Sequence, residues 1–427
     1  MNPRQYCVEK ERKVNGKRTA KLAGSTVSHN VNVHTMQVMF RFLIIAQEPA
    51  PYKTDLFNAF PRAVGWDTTV FHVCSKDWSP EGSHSFSELP QIGYREVICK
   101  GKGWIGELVS IARMIRLFVA KKDLLMICGY SKPSLVCAIL LSIICRIPFV
   151  FWTDHFNWDE PTIGGRVVKY FRSFLRRAIF HNAKAVLICG KAGCESAVKG
   201  GCIENKVINF PYVVDATRIR RSTRTSRDID DIMKIESNKK LILFSGRLIE
   251  RKGLGVLLQA VAHLRQYHDD FFLIIEGGGP LRQSYEKRCG QLGIEDAIRF
   301  LGFRQMQEHA ILLSIADIIV VPSIEDPWGI VVHEGMLLGK AVCASDAVGA
   351  AADRIRSGVN GFIFRSGDWR SLSETLGFLL SNDTLRHRVG KTAEETASLW
   401  SVERNVRLLA NIINRSSENS YDQQSIS

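Results

Sequence analysis

Short apolar runs rich in Val, Ile, Leu and Phe recur along this chain, and a segment of helical period follows most of them. The runs span four to seven positions without the apolar/polar alternation of a half-solvated strand, so they predict strands buried on both faces of a parallel sheet. A first series is expected near 41–46, 68–73, 95–99, 124–128, 148–152 and 185–189, and a second near 241–245, 271–276, 297–301, 317–322 and 341–345. Strands alternating with helices define an α/β class, and two series in succession predict two Rossmann-like domains. The N-terminal domain is expected over residues 39–210 and the C-terminal domain over 241–382. Between them Pro211-Tyr212-Val213-Val214-Asp215 opens a hinge and charged interdomain segment, 211–240. Helices over 383–415 are expected to cross back to the first domain, and the polar tail 416–427 to be disordered.

Residues 1–38 break the pattern. They are polar and aperiodic, carry seven Lys or Arg against two Glu, and are expected to be disordered. Met36 and Met39 stand directly before the first strand, which leaves two readings open: a natural start at one of them below an over-extended frame, or a genuine basic arm. No cleavable signal peptide is expected, because the first apolar run is short and late. The longest apolar stretch, 135–152, contains Arg146 and Pro148. It reads as a helix ending near Ile144 and a strand from Pro148, with a single membrane span as the alternative.

Composition narrows the class. At 427 residues with 45% hydrophobic positions, the chain can fill two cores. Its eleven cysteines form no Cys-x-x-Cys pair and several lie in apolar runs, so they read as small buried hydrophobes of a reducing, cytoplasmic compartment, implying neither zinc nor disulfides. The net charge of +14 raises the question of an anionic partner. Nucleic acid is disfavoured, because the cations are spread over both domains and no recognition module is visible. A helix over 166–179 offers another partner: Val167, Val168, Phe171, Phe174, Leu175, Ala178 and Ile179 fall on one face, Lys169, Arg172, Arg176 and Arg177 on the other. This fits an interfacial helix on an anionic membrane surface, and equally a helix that packs its apolar face on its own sheet and leaves a basic face outside.

The chemistry is concentrated in Ser323-Ile324-Glu325-Asp326-Pro327-Trp328-Gly329-Ile330-Val331-Val332-His333-Glu334-Gly335-Met336. A β-branched strand precedes it, Pro327 fixes φ ahead of a helix expected over 329–338, and the free amides of that helix face the mouth of the sheet. Such an N-terminus attracts a diphosphate, Glu334 one turn in can accept from ribose hydroxyls, and Asp326 on the loop can reach a sugar beyond. Two carboxylates at this spacing are, taken alone, as readily a solvated loop acid and an ordinary helix acid. About eighty residues upstream the predicted strand 241–245 leads into Gly246-Arg247-Leu248-Ile249-Glu250-Arg251-Lys252-Gly253. Glycine permits close backbone approach, and Arg247 and Lys252 offer a forked and a compact cation to two phosphates. After the strand near 148–152, Asp154 and His155 stand at a carboxyl end, where a histidine is as readily structural as functional.

These residues resemble the signature of retaining family 4 glycosyltransferases of the GT-B fold, and the resemblance continues through Glu276-Gly277-Gly278-Gly279-Pro280, Phe300-Leu301-Gly302, Ser345-Asp346 and Asn360-Gly361-Phe362 to about residue 382. It implies two Rossmann-like domains facing across a cleft, a nucleotide-diphosphate-sugar as co-substrate, no cofactor and no metal, and a glycan or lipid-linked acceptor held on the N-terminal side. It assigns the diphosphate to Gly246, Arg247, Lys252 and the Gly329 and Ile330 amides beside Trp328, the ribose to Glu334, the transferred sugar to Asp326, and a place against that sugar to His155. It further implies cell-surface polysaccharide biosynthesis at the inner face of the cytoplasmic membrane. Two departures stand out. Asp326 occupies the position where the family usually has Glu, with Glu325 one residue out of register, and Gln47-Glu48-Pro49-Ala50-Pro51-Tyr52-Lys53 replaces a glycine-rich loop. They motivate one rival, a catalytically weakened relative that binds donor or lipid. A dinucleotide-dependent oxidoreductase is a second, disfavoured because no Gly-x-Gly-x-x-Gly opens either sheet. The single Asp-x-Asp, Asp228-Ile229-Asp230, falls in the interdomain segment and reads as a chance match.

Overall fold

A computed structural model describes residues 39–47, 49–73, 91–99, 103–120, 122–154, 156, 165–222 and 239–424. The expected arm 1–38, most of the interdomain segment with Asp228 and Asp230, and both Glu48 and His155 lie outside the described residues.

Seven parallel strands form the first sheet: β1 Arg41–Ala46, β2 Asp67–Val73, β3 Arg95–Cys99, β4 Leu124–Cys128, β5 Phe149–Thr153, β6 Ala185–Ile188 and β7 Val207–Asn209, in the order β3-β2-β1-β4-β5-β6-β7. Six parallel strands form the second: β8 Lys240–Ser245, β9 Phe271–Glu276, β10 Ile298–Gly302, β11 Ile318–Val321, β12 Ala341–Ser345 and β13 Phe362–Phe364, in the order β10-β9-β8-β11-β12-β13. All eleven expected strands are present. The sequence pattern missed β7 and β13, three-residue edge strands too short to show a period. The apolar stretch resolves into the helix Pro133–Ile144 and strand β5, and among the described residues no helix is long and apolar enough to cross a membrane.

Each sheet is buried on both faces, which is why its strands read as unbroken apolar runs. The order reverses between β1 and β4 in the first sheet and between β8 and β11 in the second. Parallel α/β sheets open a crevice at such reversals, beyond the carboxyl ends of their strands. Pairing of β8 with β11, Ile242 against Ile318 and Phe244 against Val320, therefore sets the loops after these strands side by side although they are far apart in sequence.

Two of the joints between the halves come from the hinge and from the C-terminal helix. After the hinge, Arg218 on the helix Ala216–Ser222 grips Asp55 of the helix Pro51–Val64, Nε to Oδ1 at 2.8 Å and Nη2 to Oδ2 at 2.7 Å. Asp55 is buried, and desolvation raises its pKa above the ordinary carboxylate value against the pull of Arg218. The second joint is the helix Val402–Gln424, which sends Val402, Val406, Leu409, Ala410 and Ile413 into the N-terminal core beside Phe57 and Phe60. Two expectations change here. The preceding helix, Asp383–Ser398, packs in the C-terminal core through Leu385, Val389, Ala393 and Ala397, so only one helix crosses. That helix also runs to Gln424, past Ser416, because no Gly or Pro interrupts it and each added residue continues an existing hydrogen-bond ladder.

The helix Gly165–Asn182 is rotated from its expected orientation. Arg176 is 6% exposed, whereas Phe171 and Phe174 are 48% and 62% exposed. Phe180, packed edge-on against Phe156 at 5.0 Å between centroids, adds to Leu175 and Ile179 and turns the buried arc toward Arg176.

Leu409 is fully buried while its neighbour Leu408 is 38% exposed. Leu409→Ala should cost about 2–5 kcal/mol in denaturant unfolding, through lost burial and a cavity beneath the crossing helix, and Leu408→Ala under about 1 kcal/mol. Equal midpoints for the two variants would show that the crossing helix does not hold the halves together.

Candidate functional site

Between the two halves lies a cleft of about 500 Å³ at the β8/β11 reversal. Its floor is made by backbone. The amide of Gly246 donates to Glu276 O at 3.0 Å and that of Leu248 to Gly278 O at 2.9 Å, so the loop after β8 lies directly on the loop after β9. This contact needs glycine: Gly277 has φ +126°, and a Cβ there would fall 1.9 Å from Gly246 O. On the other side the Ile324 amide donates to Arg251 O at 2.8 Å, tying the turn Glu250–Lys252 to the loop after β11. Gly253, at φ +69°, brings the same turn against Pro322 O.

The residues singled out from the sequence converge on this cleft: Gly246, Arg247, Lys252, Asp326, Trp328, Gly329, Ile330 and Glu334 all line it. Asp326 is held by its backbone between Ala347 and Gly349, and its Oδ2 accepts from Lys252 Nζ at 2.5 Å. Glu325, one residue earlier, is exposed and outside the lining. Arg247 is exposed at the cleft and makes no ion pair among the described residues. Gly329, at φ +77°, caps the helix Ile330–Leu337 and lies against the Asp326 carboxylate. His333 faces the opposite way, fully buried, and desolvation keeps its imidazole well below the usual range.

From the N-terminal half the cleft is lined by Pro49 to Lys53 and Asp154. In the segment that departs from the family's glycine-rich loop, Pro51 starts a fourteen-residue helix, so a helix N-terminus with Tyr52 and Lys53 lines the cleft. Asp154 accepts from the Tyr212 hydroxyl, and the Tyr212 ring packs on Tyr52 at 4.6 Å. A second cavity of about 380 Å³ opens at the β1/β4 reversal, walled by Tyr130, Ser131 and Arg172, and shares Tyr52, Lys53, Asp154 and Tyr212 with the first.

Several site residues were missed from sequence. Arg218 lines the cleft from just beyond the hinge, and His309 sits between two carboxylates, Glu276 and Glu334. In the sequence Glu276 stands out only as part of a glycine motif. The available signal was an acid closing an otherwise apolar six-residue strand, at the carboxyl end where α/β sheets keep their chemistry.

Residues 226–396 match the family described as Glycosyl transferases group 1. The matched stretch is 171 of the 427 residues and holds Arg247, Lys252, Asp326 and Glu334. The chain is 37% identical over 127 residues to "Uncharacterized glycosyltransferase MJ1607" of Methanocaldococcus jannaschii, which is 30% of this chain and 32% of that protein. It is 36% identical over 167 residues to "Phosphatidyl-myo-inositol mannosyltransferase" of Mycobacterium leprae, 38% of this chain and 44% of that one. The chain thus spans less than half the length of both relatives. Among solved structures, Anabaena Alr3699/HepE in complex with UDP and glucose superposes with a TM-score of 0.66 at 19% identity, covering 88% of this chain and all of that one. This last likeness speaks for the fold alone: two facing parallel-sheet domains in the GT-B arrangement.

The floor supplies its own test. Gly277→Ala forces Cβ into the Gly246 carbonyl and should lower stability by about 1–3 kcal/mol or more, whereas Gly278→Ala has open space and should melt close to wild type. Indistinguishable melting curves would mean that the two loops do not touch.

Proposed function

We propose that this protein is a retaining glycosyltransferase that moves a sugar from a nucleotide-diphosphate-sugar to a glycan or lipid-linked acceptor in cell-surface polysaccharide biosynthesis, without a metal or cofactor. The observation that carries this reading is the meeting of Lys252, Asp326 and the Ile330–Leu337 N-terminus in one cleft, with Glu334 a turn deeper. A diphosphate in that cleft finds two cations and a helix N-terminus, which are worth most as charge develops on the departing phosphate. In the reaction the bond from the anomeric carbon to the diphosphate oxygen breaks, and a bond to an acceptor hydroxyl forms on the same face. The hydroxyl proton passes to the leaving phosphate. Arg247, Lys252 and the Gly329 and Ile330 amides take the phosphate charge, Asp326 the sugar, and Glu334 the ribose. Tyr52, Lys53 and Asp154 line both cavities, which supports assigning the second one to the acceptor. His155, adjoining Asp154 in sequence, is assigned to the transferred sugar by the family resemblance.

A thermal-shift panel of UDP, GDP and ADP, their sugar conjugates and NAD tests the donor class. A ligand at about 100 times its dissociation constant adds about 2.7 kcal/mol; a shift with NAD and with none of the others would overturn the reading. With the donor so identified, Asp326→Asn should lose about 2–4 kcal/mol of transition-state stabilisation in kcat/KM, and Glu325→Gln almost none. The reverse pattern would place the sugar on Glu325.

Membrane contact follows from a separate observation. On the helix Gly165–Asn182, Tyr170, Phe171 and Phe174 are exposed beside exposed Lys169 and Arg177, an aromatic and basic surface suited to the headgroup region of the inner leaflet. Lys169→Glu with Arg177→Glu should weaken sedimentation with anionic vesicles, by about 1 kcal/mol per cation at low salt. Arg176 is left alone because it is buried. Unchanged sedimentation would remove this helix from the membrane.

A further inference from the structure

Directly behind Glu334 lies an arrangement that the transfer chemistry above does not use. His309 sits in the first turn of the helix Met306–Ile315, whose start is fixed by reciprocal capping between Gln305 and Glu308. Its Nδ1 lies 2.8 Å from Glu276 Oε2 and 3.0 Å from Oε1, and its Nε2 lies 3.2 Å from Glu334 Oε2. Carboxylates on both ring nitrogens require two N–H donors, which only the imidazolium provides. Glu276 closes β9, Glu334 lies one turn into its own helix, and both are buried, so three elements close on one ring. Among the described residues no such group is placed to hold a metal ion, and the contacts have hydrogen-bond lengths.

Burial alone would push the ring's pKa down, but Glu276 and Glu334 hold it well above the ordinary value of 6.5. Burial would likewise push Glu334 up, yet His309, and Arg218 beyond it, hold it below its ordinary value. The charged groups facing the ring from its neighbours are Glu276 from β9 and Glu334 from the helix Ile330–Leu337. Arg218 of the helix Ala216–Ser222 stands behind Glu334, itself tied to Asp55.

We propose that His309 is the positioning residue for ribose recognition: an imidazolium braced by Glu276 holds one oxygen of Glu334 and presents the other to the ribose hydroxyls, so that one proton sets the preference for a ribonucleotide diphosphate. The proposal rests on the donor site assigned above. When the proton leaves, one N–H is lost, two carboxylates face each other, and the cleft gains a negative charge against the diphosphate. The folded value lies above the unfolded one, so the clamp and its share of stability are fully present below 6.5. Both are lost as pH rises through the folded value.

The test titrates UDP, GDP and ADP and their 2′-deoxy forms calorimetrically, from about pH 6 to about pH 9, into wild type, His309→Gln and Glu276→Gln. For the nucleotide that binds, wild type should prefer the ribose form by about ten-fold at the acid end, and this preference should shrink as pH rises. His309→Gln should show a small, pH-independent preference, and Glu276→Gln should lose its preference at lower pH than wild type. A wild-type preference flat with pH, or one unchanged in His309→Gln, overturns the clamp while leaving the donor site standing. If none of the three nucleotides binds wild type, the donor site fails and the clamp's function with it. Histidine-selective NMR of the ligand-free protein is an independent check. The His309 ring should titrate above 6.5 and lower in Glu276→Gln, and titration at or below 6.5 in wild type refutes the proposal.

Discussion

The seat of Trp328 is the constraint on which the cleft depends. Its indole Nε1 donates to the hinge carbonyl of Tyr212 at 3.0 Å, and the Arg354 guanidinium stacks over its face at 4.7 Å. On its other side Arg354 lies 4.8 Å from Trp400, which leads into the crossing helix. Burial brings the Arg354 pKa down to about 9, so the group is still a cation at neutral pH. Held between two indole faces and nearly dry, such a cation gains about 2 kcal/mol or more from the ring quadrupoles, which offsets part of its desolvation. The loop that carries Asp326, the hinge and the second connection between the halves therefore meet at one stack. A shift of the Pro327-Trp328-Gly329 loop cannot occur without moving the hinge carbonyl or the entry to the crossing helix.

Much of the fold was legible because parallel strands buried on both faces must be apolar throughout. Strands β1, β4, β9 and β12 announce themselves in that way. The geometry around Asp326 was legible for a local reason: Pro327, Gly329 and the following helix are consecutive, so one stretch of chain specifies strand end, turn and helix start together. What escaped was whatever depends on partners distant in sequence. Arg176 reads as a surface cation until Phe180 turns its helix inward. The pair Glu276 and His309, thirty-three residues apart, acquires meaning only when β9 and the helix Met306–Ile315 bring them to 2.8 Å. Edge strands β7 and β13 escaped because three residues carry no periodicity. The end of the crossing helix is not legible because its polar residues carry no apolar period, although helix propagation depends on backbone continuity once the preceding turns are packed.

The charges in the cleft form a pattern that no single pair displays. Its lining holds the carboxylates of Asp154, Glu276, Asp326 and Glu334, an unpromising inventory for the diphosphate proposed to bind there. Each acid has a local partner: Asp154 the Tyr212 hydroxyl, Asp326 the Lys252 ammonium, and Glu276 and Glu334 the ring of His309. Arg247 stands exposed at the cleft without an ion pair among the described residues. An incoming anion therefore meets a cation first; Lys252 offsets the charge of Asp326, whereas the neutral Tyr212 hydroxyl offsets none and the one His309 ring offsets only one of its two carboxylates. Of the two cations proposed for the phosphate, Lys252 is the shared one, since a diphosphate that draws on it would weaken its hold on Asp326. In the proposed transfer the Asp326 carboxylate would thus gain negative character only once the phosphate is seated, so that the two charges would act in sequence.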